Sequence, residues 1–388
     1  MSSPSPELKL SAYANRLPGS PVREILSVSQ QPGMISFAGG LPDASVMPEM
    51  PVLDDSTLTS IKQYGTSDGE VLIKQELVKW LGQEGLVCSE DQVMITSGSQ
   101  QGLDLAARIL VDSGTQVVVE DPTYLAMLQV LRGLGADLLP FDLGENGVNL
   151  ESLEQQLKNN NPRMVYLIPT FQNPTGYSYT EQERIAVAEL LDRYDVTLIE
   201  DDPYRVLNYD NAFTRPICSY LKKATWMYMG SFSKMLWPGL RTGYVVAHPD
   251  LYPWILRAKQ ATDLHSNRLG QKIIGDYLAS GNLPAHIDRL QNHYRTKRDL
   301  MQKLLKQYLP ESVKWKLPAG GMFFWLELEQ DTRDLLTKGI EAKVVPLPGT
   351  PFEVEKSAAR ALRLSFSQMT PEDIDEGLQR LAKVLKTA

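Results

Sequence analysis

Between residues 70 and 250, short apolar runs alternate with amphipathic stretches. The runs are Val93–Thr96, Gln116–Val119, Asp137–Phe141, Met164–Ile168, Val196–Ile199, Trp226–Met229 and Tyr244–Ala247. Several are apolar throughout, the pattern of strands covered on both faces. Among the intervening stretches, Glu70–Gln83 places Ile73, Leu77 and Leu81 four residues apart and stops near Gly85. Thr180 with Glu183 three residues on makes a capping box ahead of Ile185, Val187 and Leu190. Such alternation predicts an α/β region whose mostly parallel sheet, of about seven strands, is flanked by helices. Upstream, Ser20 and Pro21 suit the start of a short helix bearing Val22, Ile25 and Leu26. Gln31-Pro32-Gly33 ends it, and a strand at Met34–Phe37 runs into Gly39-Gly40-Leu41-Pro42. Past residue 250 the texture changes to long helices at 250–262, 267–280 and 284–308. Strands are expected at Val313–Leu317, Met322–Leu328, Lys343–Val345 and Ala361–Ser365, then a helix from Pro371 capped by Thr370. The expected division is an arm, residues 1–45, packing with the small domain; a large domain, 46–285; and a smaller α+β domain, 286–388.

Composition narrows the classes. The 388 residues hold 39 Lys and Arg against 47 Asp and Glu, a net charge of −8. That balance argues against nucleic-acid binding but leaves room for a local anion pocket. Cys88 and Cys218 are the only cysteines, so no disulfide framework or structural zinc site is expected, nor any catalytic metal. The N-terminus lacks the pattern of a secretory signal, and no run approaches the ~20 apolar residues of a membrane span. A cytoplasmic protein without a membrane or nucleic-acid partner is expected.

The candidate chemistry lies where apolar runs end, because open α/β sheets bind ligands beyond the carboxyl ends of their strands. Thr96-Ser97-Gly98-Ser99-Gln100-Gln101-Gly102 offers free N–H groups to an anion, or is a plain helix cap. Tyr124, after Asp121-Pro122-Thr123, suits stacking on a planar ring or a place in the core. Asn173 in Gln172-Asn173-Pro174-Thr175-Gly176 is held out of helix by the following proline, in a cleft or a simple turn. In Glu200-Asp201-Asp202-Pro203-Tyr204 the acids need cationic or hydrogen-bonding partners, and Asp201 suits a protonated ring nitrogen. Lys234, in Ser231-Phe232-Ser233-Lys234, sits among apolar and aromatic residues that would lower its pKa and favour chemistry at an aldehyde. Arg241 follows seven residues on and suits a phosphate.

In this order on one sheet, the set resembles the fold-type I pyridoxal 5'-phosphate enzymes of the aspartate aminotransferase superfamily. The resemblance is greatest to the 2-aminoadipate and kynurenine aminotransferase group. It rests on RLPGSPVREIL, SFAGGLP, TSGSQQGLDL, QNPTG, EDDPY, SFSKMLWPGLRTGY, KQATDLHSN, PAGGMFFWL and LRLSFS, from about residue 16 to 368. It implies that Lys234, Asp201 and Tyr204 are catalytic. Lys234 would hold the cofactor aldehyde and then move the substrate Cα proton. Asp201 would keep the ring nitrogen protonated, Asn173 and Tyr204 would bond the phenolic oxygen, and Tyr124 would stack on the ring. Ser99, Gln100, Ser231 and Arg241 would hold the phosphate. Tyr64, in IKQYGTSDG, would reach the phosphate of a partner subunit, which makes the protein a homodimer. Arg363 would grip the substrate α-carboxylate beside Asn173, Gly39 and Gly40 would admit the substrate, and Arg23 would meet its side-chain carboxylate. Lys74 departs from the arginine many relatives carry after the YGxxxG segment.

The activity so implied is transfer of an amino group from an L-amino acid to a 2-oxo acid such as 2-oxoglutarate. Candidate donors are 2-aminoadipate, aromatic, kynurenine-like or branched aliphatic amino acids. A lyase or decarboxylase of the same fold shares the first deprotonation. A ligand-sensing regulator built on this domain would need an N-terminal helix-turn-helix, for which about twenty preceding residues leave no room. A nicotinamide dehydrogenase is disfavoured because no strand is followed by GxGxxG.

Overall fold

The computed structural model describes residues 9–17, 19, 25, 28, 29, 31–144, 147–332, 334–354 and 360–387. The helix expected after Ser20 falls for the most part outside the described residues, and Arg23 with it.

Strand β1 is Ile35–Ser36 and β2 is Val93–Thr96. Then follow β3 Gln116–Asp121, β4 Asp137–Gly144, β5 Gly147–Val148, β6 Met164–Leu167, β7 Thr197–Asp201, β8 Trp226–Ser231 and β9 Gly243–Ala247. Eight of them form one sheet in the order β2-β9-β8-β7-β6-β3-β4-β5. Strands β3, β4, β6, β7 and β8 are mutually parallel. Strand β9 is antiparallel to both β8 and β2, so β2 points with the rest. All seven expected runs are present. The eighth strand, β5, is a two-residue return against Leu143 and Gly144, too short to leave a pattern of its own.

The sheet is buried on both faces, and its alternation shows it. Met94, Val117, Val119, Met164 and Tyr166 join Leu103, Leu128 and Ile255 on one side. Val93, Ile95, Val118, Val165 and Leu167 join Leu77, Val187 and Ile274 on the other. Successive side chains on a strand point to opposite faces, so uniformly apolar strands require helices on both. The capping box forms as expected: Glu183 N–H donates to Thr180 Oγ1 at 3.2 Å and Thr180 N–H donates to Glu183 Oε2 at 2.7 Å.

A second, antiparallel sheet holds β10 (Lys314–Trp315), β11 (Phe323–Glu327), β13 (Leu347–Pro348) and β14 (Ala361–Ser365) in the order β10-β11-β14-β13. Strand β14 is therefore interior. Strand β12 (Val344–Val345) pairs in parallel with β1, joining the N-terminal segment to this region. A helix at Ala12–Arg16, capped by Ser11, docks elsewhere: Arg16 donates to the carbonyls of Gly133 and Leu134.

One difference bears on chemistry. The run expected to stop at Ile199 continues as strand to Asp201. Acids persist in the strand because Glu200 accepts from Ile217 N–H at 3.0 Å and Cys218 N–H at 2.9 Å, satisfying a buried carboxylate.

Candidate active site

The carboxyl ends of β2, β3, β6, β7 and β8 share one edge of the sheet. Because β9 runs backward, Arg241, two residues before its start, reaches that same edge. Chain order reverses between β3 and β6, and such a reversal opens a ligand crevice. A cavity lies there. Ser99, Gln100 and Tyr124 line it from the first two junctions, Asn173 from the third and Asp201 with Tyr204 from the fourth. Ser231, Lys234 and Arg241 complete the set, with Ile168, Pro203 and Ser233 between them.

One part of the wall is an anion cradle. Helix Ser99–Leu110 begins after Gly98, whose φ is 80° and whose added Cβ would stand 2.4 Å from Arg241 Nη2. The positive φ favours glycine there, and the Arg241 guanidinium lies against it. Among the described residues the Ser99 and Gln100 N–H groups donate to no other group, as first-turn groups do when left for a ligand. Arg241 Nη1 donates to Ser233 Oγ at 3.3 Å, and Ser233 N–H donates to Ser231 Oγ at 3.1 Å.

The acids at the end of β7 divide by face. Asp202 Oδ2 pairs with Arg205 at 3.0 Å and accepts from the Tyr228 hydroxyl at 2.9 Å, and Asp202 does not line the cavity. Asp201 points the other way, into the cavity. Its Oδ2 accepts from the Tyr166 hydroxyl at 2.9 Å, while its Oδ1 is buried without a partner among the described residues. Burial pushes this carboxyl up to about 7, the Tyr166 bond opposing and the Asp202 and Glu120 charges adding.

Lys234 Nζ donates to Gly40 O at 2.9 Å. Burial, with the Arg363 and Arg241 charges acting in the same sense, lowers its pKa to about 8. Gly40 can approach because it has no side chain: a Cβ there would meet the Phe323 ring at 2.7 Å. Arg363, from β14, donates to Asn173 Oδ1 at 2.7 Å and Ala38 O at 2.6 Å. Its guanidinium lies 4.1 Å from the Phe323 ring centroid and 4.9 Å from that of Phe352. Burial brings it down to about 10, which leaves it charged at neutral pH. Its Nε is buried and unpartnered among the described residues. Asn173 Nδ2 in turn lies 3.4 Å from the Tyr204 hydroxyl.

Of the expected residues, Gly40 and Arg363 do not line this cavity but bond to Lys234 and Asn173 of its wall, and Tyr64 does not join them. Tyr64 is 76% exposed, edge-on to His265 with centroids 5.6 Å apart, and Arg23 lies outside the described residues. The sequence reading missed Ser233, Tyr166, Phe323 and Phe352. Ser233 lies inside a motif already singled out. Tyr166 left one signal, a hydroxyl in a strand buried on both faces, which must find a partner.

Fold and cavity together define an α/β enzyme in which a buried amine, a carboxylate oxygen unpartnered among the described residues and a guanidinium line one cavity. Residues 35–381 match the model of Aminotransferase class I and II, and the chain belongs to that family. Aromatic-amino-acid aminotransferase 1 of Thermococcus litoralis is 35% identical over 395 residues, covering 98% of this chain and 94% of that protein. The structure of a kynurenine aminotransferase from Pyrococcus horikoshii, in complex with PMP, is 36% identical, with a TM-score of 0.90 over 97% of both chains. An alpha-aminoadipate aminotransferase from Thermus thermophilus, complexed with N-(5'-phosphopyridoxyl)-L-leucine, is 32% identical, with a TM-score of 0.87 over 97% of both.

Proposed function

We propose that this aminotransferase uses pyridoxal 5'-phosphate to move an amino group from an L-amino acid to a 2-oxo acid such as 2-oxoglutarate. The convergence of Lys234 Nζ, the unpaired Asp201 Oδ1 and the Arg363 guanidinium carries the reading. The residues fit the cofactor. Asp201 Oδ1 is a buried acceptor without a donor, suited to a protonated pyridine nitrogen, and the Ser99, Gln100, Ser231 and Arg241 cradle suits a phosphate. Tyr124 offers a ring to stack on; Asn173 and Tyr204 would hold the phenolic oxygen.

When bound, the cofactor supplies the electron sink for charge left at the substrate Cα. The rest is the protein's. Lys234 would hold the aldehyde and, once displaced by substrate, its neutral amine would move the proton from the substrate Cα to the cofactor carbon that had carried the aldehyde. Positioned transfer of this kind is worth roughly 10²–10⁴-fold. Arg363 takes the α-carboxylate, its unpartnered Nε supplying one arm of a bidentate pair. Gly40 leaves the space that brings backbone close to the substrate.

The donors inferred are 2-aminoadipate, aromatic, kynurenine-like or branched aliphatic amino acids, in line with the names of the similar proteins. Arg23 is assigned to a side-chain carboxylate. The complete amine, carboxylate and guanidinium set favours catalysis over the ligand-sensing regulator. We read the molecule as a homodimer in which Tyr64, exposed on its own subunit, serves the partner's phosphate. Its division into an arm (1–45), a cofactor unit (46–285) and a smaller unit (286–388) follows the two sheets. A cytoplasmic setting accords with two free thiols; among the described residues no helix is long and apolar enough to cross a membrane.

Borohydride reduction of the holoenzyme, followed by digestion, tests the assignment. The pyridoxyl tag is expected on the peptide containing Lys234, and a tag elsewhere, or none, refutes it.

A further inference from the structure

We propose that Lys259, which lies outside the cavity wall, is a positioning residue for the anion cradle. The inference rests on reading that cavity as a pyridoxal-phosphate site. Lys259 belongs to helix Tyr252–Thr262, and its side chain is fully buried. A buried ammonium must place its three donors, and this one does. It donates to Asp263 Oδ1 at 2.9 Å, to Ser266 Oγ at 2.9 Å and to Gln101 Oε1 at 3.3 Å.

Each partner leads to the turn that forms the cradle. Gln101 follows Ser99 and Gln100 in the first turn of their helix. Its Oε1 also accepts from Ser97 N–H at 2.8 Å, and its Nε2 donates to Asp263 Oδ2 at 2.6 Å. Ser266 Oγ donates to Ile95 O at 3.2 Å, in the last residues of β2. Lysine and aspartate thus grip residues 95–101 through side chains the ligand never meets. Gln101, held by both, occupies the Ser97 N–H through its Oε1, Thr96 O takes that of Gly98, and the next free donors are those of Ser99 and Gln100. Nothing in the proposed chemistry uses this ion pair; its geometry accounts for where the cradle stands.

The measurement is a titration of apoprotein with pyridoxal 5'-phosphate and, separately, with pyridoxal, which has no phosphate, followed by absorbance. Lys259→Met is expected to weaken pyridoxal phosphate binding roughly tenfold, the scale of one lost charge-assisted hydrogen bond. Pyridoxal binding should change less than about twofold, because its contacts lie on the far side of the clamp. Asp263→Asn, at a partly exposed position, should act in the same direction, and it carries the test should the lysine variant fail to fold. A general structural role would lower the melting temperature of the apoprotein and weaken both ligands alike. That result, or unchanged pyridoxal phosphate binding, overturns the proposal. Failure of the wild type to bind pyridoxal phosphate overturns the functional reading itself and the inference with it.

Discussion

Lys234 shows how burial and two neighbouring charges set one amine. Burial and two guanidinium charges all disfavour its protonated form, bringing it to about 8. Capture of the cofactor aldehyde needs the neutral amine, whose fraction grows as pH rises through that value. The rate at which apoprotein takes up pyridoxal phosphate should therefore climb through about pH 8 and flatten above it, as stopped-flow absorbance would record. Arg363→Ala removes one of the two charges and should move that midpoint upward. The same substitution should raise KM for every amino-acid donor by at least about tenfold, since a charged bidentate contact is lost. A donor-selective effect in steady-state kinetics would contradict a role at the α-carboxylate.

Elements decide which of these residues meet. Strands β2, β3, β6, β7 and β8 each deliver a polar junction to a common edge, while helices such as Glu181–Tyr194 hold the strands from behind. Thr180→Ala breaks the capping box of that helix, at a position that does not line the cavity. It should cost about 1 kcal/mol in denaturant unfolding with KM unchanged. The large sheet was legible because strands buried on both faces must be apolar, and most of the runs from Val93 to Ala247 obey. Gly147–Val148 and Leu347–Pro348 were not, since two residues carry no period and their pairing is decided by partner strands. The site divides in the same way. Asn173, Asp201 and Lys234 announce themselves by residue type at strand ends. The hydroxyl of Tyr166 hides inside an apolar run, and Phe352 approaches Arg363 only through tertiary packing.

For the whole molecule, the proposed dimer gives a test by mixing. Lys234→Ala lacks the amine and Tyr64→Ala lacks the group offered to its neighbour, so each homodimer is defective in both sites at limiting cofactor. In a hybrid, one site collects both defects and the other none. Dissociating and reassociating the two variants should restore about a quarter of wild-type activity, the share expected of random pairing. Recovery of none would place Tyr64 in its own subunit's site. The position of β14 has a consequence for biosynthesis. Its arginine stands in the middle of a sheet and closes against Ala38 and Asn173, segments translated long before it. A ribosome that stops between Lys234 and Ala361 releases a polypeptide holding the nucleophile but neither strand β14 nor the anchor for its substrate. Premature termination in this message yields no partial catalyst.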